Sequence, residues 1–230
     1  MTSLTAVREI ALSLRDFLFP PSCLLCRGNI EDDGILCSPC FDSLAVEAAS
    51  YPPPRRTIED TGAVSVLLPY HDRCRQIVHA LKYHGMASLG PLMGRLMAKK
   101  TLRLFPVSSN AILVPVPLHP DRFRERGYNQ SERLARGFAS FSGHEIRTDI
   151  LKRVRKTETQ TRLSQEERQH NVLNAFIYSG ERSLAGCEAV LIDDVLTTGS
   201  TIEACVRALK DGGAGAITIS VLATPDPGNE

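Results

Sequence analysis

The stretch Val190-Leu-Ile-Asp-Asp-Val-Leu-Thr-Thr-Gly-Ser-Thr201 decides the fold and the site of this chain. Residues 189–192 have the length and composition of a buried parallel strand. Two carboxylates follow, and we expect Asp193 and Asp194 at the carboxyl edge of the sheet, where ligands of open α/β sheets bind. A turn rich in hydroxyl groups comes next, and residues 202–210 are predicted to form a helix whose positive end faces that turn.

Acids for sugar hydroxyls beside backbone N–H groups for a phosphate fit a phosphorylated ribose. The string resembles the phosphoribosyl pyrophosphate (PRPP) signature of type I phosphoribosyltransferases. By that resemblance Asp193 and Asp194 are catalytic and hold the ribose hydroxyls. The resemblance implies that the 5′-phosphate turn consists of Val195, Leu196, Thr197, Thr198, Gly199, Ser200 and Thr201. The plainer alternative is an acidic pair that only gives a buried strand a polar end.

Length and charge set broad limits on the rest of the chain. Its 230 residues are enough for one large domain and a small module, and the net charge of +1 favours neither nucleic acid nor membrane as a partner. Residues 122–168 carry twelve Lys or Arg against seven Asp or Glu, which indicates a solvated face or the counter-charge of a polyphosphate or nucleic acid. No apolar run approaches the roughly 20 residues of a membrane span, and no export signal is evident, so we expect a cytoplasmic protein.

Four cysteines form two C-x-x-C pairs separated by ten residues: Cys23, Cys26, Cys37 and Cys40. Two tight pairs of thiolates suit a tetrahedral zinc ion, and this zinc is predicted to be structural because no ligand position is left open. A redox pair or two disulfides are the alternatives, but no βαβ unit and no export signal accompany the cysteines. We assign no function to Cys74, Cys187 and Cys205.

The organisation of the chain follows from these patterns. Residues 1–50 are predicted to hold an N-terminal helix and the zinc module, 51–60 a Pro-rich linker, 61–223 an α/β domain and 224–230 a flexible tail. Within the α/β domain, strands are predicted at 63–70 and 111–117 and helices at 73–83, 89–104 and 130–141.

An arginine-rich loop after the strand at 111–117 is the second candidate site. Arg122, Arg124 and Arg126 alternate there, and arginine forks match phosphate oxygens. In type I phosphoribosyltransferases a loop at this place holds pyrophosphate, which by resemblance implies Pro117, Leu118, His119, Arg122, Arg124, Arg126 and Gly127. The alternative is a solvent-facing edge whose arginines pair with nearby carboxylates.

The polar, basic segment 151–176 precedes the strand at 189–192. It resembles the hood loop that closes over PRPP in these enzymes, and such closure excludes water while pyrophosphate leaves. The resemblance gives this role to Arg155, Lys156, Thr157, Gln160 and Arg168. A plain surface loop is the alternative.

Taken together, the cysteine pairs, the Pro115–Gln130 motifs, the 155–171 motif and the PRPP string resemble the ComF family over residues 18–222. The resemblance implies a type I phosphoribosyltransferase-like parallel sheet flanked by helices, with a small N-terminal four-cysteine zinc-ribbon module. It further implies a bacterial protein of DNA uptake and natural transformation that binds PRPP with Mg²⁺. The acceptor substrate stays open.

Two rival functions remain. One is a non-catalytic, PRPP-sensing adaptor that binds single-stranded DNA, although stacking on bases needs aromatic residues and the chain has no Trp, five Tyr and eight Phe. The other is nucleobase salvage, which the zinc module makes less attractive. For a transferase, Mg²⁺ is expected to bridge pyrophosphate and ribose oxygens, while the acids stabilise positive charge at C1 and the arginines stabilise the leaving group.

Overall fold

The computed structural model describes residues 21–30, 34–54, 58–154, 175–181 and 183–225. The chain divides into two compact units, Met1–Val46 and Glu47–Glu230. The predicted N-terminal helix, the predicted hood residues and all but the first two residues of the predicted tail lie outside the described ranges. Within the described ranges, no helix is both long enough and apolar enough to cross a membrane.

The described part of the first unit is built around its cysteines. The Cys23 N–H donates to the Gly28 carbonyl at 2.8 Å, and the Leu24 N–H donates to the Ile35 carbonyl at 2.9 Å. Helix α1 (Ser38–Ser50) follows. The turns between the cysteines therefore give way directly to a helix that carries Cys40.

The second unit alternates strands and helices, as predicted. Its strands are β1 (Ala63–Pro69), β2 (Ile112–Pro115), β3 (Glu145–Ile146), β4 (Leu151–Arg153), β5 (Phe176–Tyr178), β6 (Ala189–Val195) and β7 (Ile217–Thr224). Its helices are α2 (Asp72–Tyr83), α3 (Leu89–Leu104), α4 (Pro120–Arg126), α5 (Gln130–Ser142) and α6 (Ser200–Asp211). The alternation of buried strands with amphipathic helices is what a parallel sheet covered by helices requires.

Five strands form a parallel sheet in the order β1-β7-β6-β2-β3. Strand β6 is central, and its residues 190–192 are fully buried because the strand is covered on both faces. In this register Pro115 of β2 lies beside Ile192, and Asp193 lies beside Val221 of β7. The carboxyl ends of β2, β6 and β7 therefore share one edge, which places the residues that follow them together.

Helices α3 and α5 approach each other closely because glycines line their contact. A Cβ atom on Gly94 would lie 2.0 Å from the Leu134 carbonyl oxygen, and one on Gly137 would lie 2.2 Å from the Pro91 carbonyl oxygen. Only glycine fits at such backbone contacts. This packing fixes α5, whose first turn supplies a side chain to the candidate site.

Candidate functional site at the carboxyl edge

The acidic pair lies within strand β6 rather than beyond it. The sequence led us to expect the strand to end at Ile192, but it continues through both acids to Val195, and Asp193 and Asp194 are only 8% and 4% exposed. The first carboxylate is satisfied locally, since Asp193 Oδ1 accepts hydrogen bonds from Ser131 Oγ at 2.8 Å and from the Asp194 N–H at 2.9 Å. Side-chain and backbone donors thus allow an acid to remain in a buried strand.

The second carboxylate faces a lysine from the last turn of α2. Lys82 Nζ lies 2.8 Å from Asp194 Oδ2 in a mostly buried ion pair. Within the described residues no donor meets this oxygen at hydrogen-bond angles, so the contact is one of charge. Burial disfavours the ammonium ion, but the charge of Asp194, its close contact with Nζ and the charge of Asp193 together outweigh burial and raise the pKa of Lys82.

Burial also raises the pKa of Asp193 to about 7, and the charge of Asp194 adds to this effect. Ser131, the Asp194 N–H and Lys82 act in the opposite direction but do not cancel it. The two adjacent acids are therefore unequal. Asp194 has a cation beside it, whereas Asp193 is held by hydrogen bonds and takes up a proton near neutral pH.

Both acids open into a cavity of about 340 Å³. Its polar wall includes Lys82, Arg153, Asp193, Asp194, Thr197 and Thr201. An apolar wall consists of Val116, Pro117 and Leu118, which follow β2. The cavity therefore brings together the acidic pair, part of the predicted phosphate turn and the beginning of the predicted pyrophosphate loop.

The turn after β6 is anchored at its base and open at its tip. The Leu196 N–H donates to the Ala223 carbonyl at 2.8 Å, and Thr224 Oγ1 donates to the Leu196 carbonyl at 2.9 Å. Thr197 and Thr198 are exposed. Gly199 has φ of 90°, a left-handed conformation that favours glycine, and it precedes α6 with no side-chain cap on the first turn of that helix. An uncapped helix start of this kind suits an anion.

The arginine segment contains a short helix, α4, where the sequence reading placed only a loop. His119 caps this helix by accepting a hydrogen bond from the Asp121 N–H at 3.2 Å, Pro120 lies at its first turn, and Gly127 ends it with φ of 79°. Pro at the start and Gly at the end are ordinary helix signals. Because the three arginines lie on this helix, their side chains point in different directions and contact different partners.

The three arginines do not act as one group. Arg122 pairs with Glu125 at 2.9 Å, and Arg124 pairs with Asp121 at 3.2 Å, as the local-carboxylate alternative expects. Arg126 donates to Gln130. A second cavity of about 310 Å³ is lined by Lys82, Tyr83, Gly85, Arg122, Glu125 and Arg126. Arg124 lines neither of these two cavities, and Lys82 lines both.

The predicted hood residues Arg155, Lys156, Thr157, Gln160 and Arg168 lie outside the described residues. Strands β4 and β5, which lie on either side of that segment in sequence, pair antiparallel with Leu151 opposite Tyr178. Arg153 of β4 reaches the first cavity, where burial lowers its pKa. The described residues thus place a cation of this hairpin beside the acidic pair.

The sequence pattern gave no role to three residues of the site: Lys82 and Arg153, which line the first cavity, and Ser131, which donates a hydrogen bond to Asp193. A lysine in the last turn of a helix is explained by the helix dipole alone, and a serine at a helix start by capping. Their roles depend on which strands are neighbours, and no local pattern carries that information.

The cysteine cluster in the first unit has the geometry of a zinc site. The sulfur atoms of Cys23, Cys26, Cys37 and Cys40 all lie within 4.8 Å of one another, and Cys26 Sγ is 3.7 Å from Cys37 Sγ. Tetrahedral zinc with Zn–S bonds of about 2.3 Å requires sulfur atoms about 3.8 Å apart. The Cys37 N–H also donates to Cys23 Sγ at 3.4 Å. The cluster fits a structural zinc ion, as predicted.

Comparison with known proteins agrees with both halves of this description. The double zinc ribbon domain matches residues 14–51, and the phosphoribosyl transferase domain matches residues 125–229. The DNA utilization protein YhgH of Salmonella typhimurium is 33% identical over 149 residues, which cover 64% of this chain and 65% of that protein. Competence protein F of Haemophilus influenzae is 36% identical over 112 residues, 48% of this chain and 49% of that protein.

These matches support the ComF family for this chain. Competence protein ComFC of Bacillus subtilis is a further relative, 28% identical over 64% of this chain and 58% of that protein. The matches with these three relatives span less than two thirds of the relatives' own lengths. The AQ2163 protein of Aquifex aeolicus has a solved structure that aligns at 14% identity and a TM-score of 0.41, covering 69% of this chain and 86% of that one. The predicted fold class is confirmed: a mostly parallel sheet flanked by helices, with a four-cysteine zinc ribbon.

Proposed function

We propose that this ComF-family chain binds PRPP with Mg²⁺ at the carboxyl edge of its sheet and works as a phosphoribosyltransferase-type protein of DNA uptake in the bacterial cytoplasm. The observation that carries the proposal is the shared cavity: Asp193, Asp194, Thr197 and Thr201 line one space of about 340 Å³. Only two residues separate Asp194 from Thr197 in sequence. The acids, which suit ribose hydroxyls, and the turn before α6, which suits a phosphate, therefore line the same cavity.

Each part of PRPP has a partner in this arrangement. The ribose hydroxyls donate to the carboxylates of Asp193 and Asp194, and the turn 195–201 receives the 5′-phosphate through its N–H and hydroxyl groups. Lys82 and Arg153 line the same cavity and supply positive charge for the diphosphate. Arg122 and Arg126 line the adjoining cavity, so their predicted contact with pyrophosphate stays a prediction.

The donor set fits Mg²⁺. Mg²⁺ prefers oxygen ligands and usually takes one or two carboxylates together with substrate phosphates. Asp194 Oδ2 is buried with only the charge of Lys82 beside it, so this oxygen retains capacity for a cation or a hydroxyl donor. Bound Mg²⁺ supplies charge neutralisation of the departing diphosphate, while the two carboxylates stabilise positive charge at C1 of the ribose.

The role in DNA uptake rests on the relatives. Two of them are named competence proteins and one a DNA utilization protein, and the family resemblance points the same way. We further propose that the segment 151–176 closes over bound PRPP. Residues 1–50 form the N-terminal helix and the zinc-ribbon module, and residues 61–223 form the transferase-like domain. The acceptor remains to be identified.

Titration calorimetry of the full chain with PRPP and Mg²⁺ tests the proposal. Replacing both acids, Asp193→Asn with Asp194→Asn, removes two hydrogen bonds to charged groups and should weaken PRPP binding more than about 100-fold. Asp72→Asn, at an exposed acid in the first turn of α2, is the matched control and should bind normally. Equal PRPP affinity in the wild type and the double variant would contradict the proposal that PRPP binds at Asp193 and Asp194.

Catalysis has its own test. Pyrophosphate release from PRPP is measured across a panel of nucleobases and nucleotides. Release with one acceptor that the double variant loses supports a transferase. PRPP binding without release for any acceptor would leave a PRPP-binding protein and contradict the transferase reaction.

A further inference from the structure

The start of helix α5 is tied to its neighbours on two sides. The Tyr128 hydroxyl donates to the Leu81 carbonyl in α2 at 2.5 Å, and Asn129 Nδ2 donates to the Val116 carbonyl, just after β2, at 3.0 Å. Tyr128, Asn129 and Ser131 are all buried. Because buried donors fix a segment only where their acceptors are, the first turn of α5 has a defined position relative to α2 and to the end of β2.

The Ser131 hydroxyl lies in this first turn but does not cap the helix. The capping residue is Asn129, whose side-chain oxygen accepts a hydrogen bond from the Ser131 N–H at 3.0 Å. Ser131 Oγ instead donates to Asp193 Oδ1 at 2.8 Å, and Ser131 is fully buried. The fixed start of α5 therefore presents a hydroxyl donor to an acid of strand β6.

This hydroxyl contributes to the orientation of the Asp193 carboxylate. Among the described residues, both hydrogen bonds of that carboxylate end on Oδ1, one from Ser131 and one from the Asp194 N–H at 2.9 Å. Asp193 also lines the cavity of about 340 Å³. Two donors on one oxygen restrict rotation of the carboxyl group and leave Oδ2 for a ligand. Of the two donors, Ser131 is the one that comes from outside the strand.

We propose that Ser131 is a positioning residue, which orients Asp193 so that its second carboxylate oxygen meets a ribose hydroxyl of PRPP. The inference rests on the proposed PRPP site and adds a residue that acts on the sugar and not on the phosphate. Binding groups reach productive geometry when supporting hydrogen bonds hold them to within about 0.5 Å. The alternative is a hydrogen bond that only stabilises a buried acid, and such a bond would give no preference for the sugar.

Separate titrations of the full chain with ribose 5-phosphate and with inorganic phosphate, followed by phosphorus NMR, test the proposal. Ser131→Ala should weaken binding of ribose 5-phosphate about 10-fold, the order of one hydrogen bond to a charged group. Binding of inorganic phosphate at the turn 195–201 should not change. Ser140→Ala is the matched control, because it removes a hydroxyl of the same helix that donates to the Gly137 carbonyl, and it should change neither affinity.

A double-mutant cycle tests whether the hydroxyl acts through the acid. Asp193→Ala removes the carboxylate that Ser131 orients, so adding Ser131→Ala to it should cause no further loss of ribose 5-phosphate affinity. Ser131→Cys keeps a side chain of similar shape with a weaker donor and should show a smaller loss than Ser131→Ala, in the same direction. The same 10-fold loss from Ser131→Ala in the presence and absence of Asp193 would contradict the positioning role.

The two ligands also keep this inference distinguishable from the proposed function. If the wild type binds PRPP and ribose 5-phosphate, and Ser131→Ala binds them equally well, only the positioning role falls. Equal losses of ribose 5-phosphate and inorganic phosphate affinity in Ser131→Ala also overturn it, because they indicate a general loosening of the site. If the wild type binds neither sugar phosphate, the proposed PRPP site falls and the role of Ser131 falls with it.

Discussion

The cysteine cluster and the acidic pair both bring ionisable side chains close together, but the chain supports them in opposite ways. Around the cysteines, the described part of the first unit buries only Cys23, Leu24, Leu36 and Leu44 among its apolar side chains. The acidic pair instead lies near the carboxyl end of the central strand of a five-stranded sheet with an extensive apolar core. The four thiolates of the first region fit a zinc ion that would stabilise the fold around it, whereas in the second region the folded sheet and its donors stabilise the buried charges.

The difference teaches what each set of residues contributes. Four thiolates around zinc are a source of stability, because metal binding to a small module is folding free energy. Two acids in a buried strand are a cost, because each must find donors or a cation in exchange for water. Residues that reduce stability and persist in a core are candidates for binding, which is why the acidic pair points to function more strongly than the cysteines do.

The largest effect expected from this comparison is the loss of the zinc module. Cys26→Ser with Cys37→Ser removes two of four ligands, and apparent binding energies of structural zinc are about 10–16 kcal/mol. We expect zinc content to fall to background and amides of residues 34–46 to lose protection from hydrogen exchange. Cys187→Ser, outside the cluster, should change neither. Full zinc content in the double variant would refute the ligand assignment.

At the acidic pair, Lys82 should contribute more to stability than an exposed lysine does, because it lies in a mostly buried ion pair. Lys82→Met leaves Asp194 and Asp193 in the core without their nearest cation, and breaking such a pair should lower the free energy of unfolding by about 3 kcal/mol. Lys99→Met, at an exposed lysine of α3, should stay within about 0.5 kcal/mol of the wild type in urea unfolding. A similar small change for both variants would show that the acids do not need Lys82.

Ionisation of Asp193, unlike the Lys82 ion pair, should lower the free energy of unfolding. Its folded-state pKa, about 7, lies above the ordinary value of 3.8, so the folded protein binds more protons than the unfolded chain between these values. Stability should therefore fall as pH rises through that window, by at most about 2 kcal/mol between pH 5.5 and 7. Asp193→Asn keeps an oxygen for Ser131 but cannot ionise.

Urea unfolding of the wild type and Asp193→Asn across this pH range measures the effect. The difference in free energy of unfolding should shift in favour of the variant as pH rises, while contributions common to both proteins cancel. A pH-independent difference would contradict the assigned titration of Asp193.

The smallest effect concerns the turn. Gly199→Ala places a side chain at φ of 90°, and Gly143→Ala does the same at φ of 77° at the end of α5. Each should cost about 1 kcal/mol of folding free energy. Only Gly199→Ala should also weaken PRPP binding in calorimetry. Equal PRPP affinities of the two variants would contradict the proposal that the turn around Gly199 binds the 5′-phosphate.

The cysteine cluster could be predicted from the sequence more completely than the surroundings of the acidic pair. The cysteine cluster is readable because its ligands lie within 18 residues and their spacing alone implies a shared ion. The core of strand β6 and the longer helices of the second unit were also predictable, since hydrophobic period is local. The extension of β6 through the acids was not, because it depends on pairing with β7 and on donors from distant elements.

Lys82 and Ser131 show why the partners of the acidic pair could not be predicted from the sequence. They lie 112 and 62 residues away from Asp194 and Asp193, and only the order of strands in the sheet brings them together. Helix α4 was a different failure, because Pro120 and Gly127 carried its start and stop signals in the sequence.

Hydrogen exchange with and without PRPP and Mg²⁺ follows both regions in one measurement and shows which of them binds the ligand. We expect slower exchange in peptides covering residues 193–203 and unchanged exchange over residues 34–46, with the slowing absent in Asp193→Asn with Asp194→Asn. Unchanged exchange over 193–203 at saturating PRPP, or protection appearing over the cysteine module instead, would contradict PRPP binding at the acidic pair.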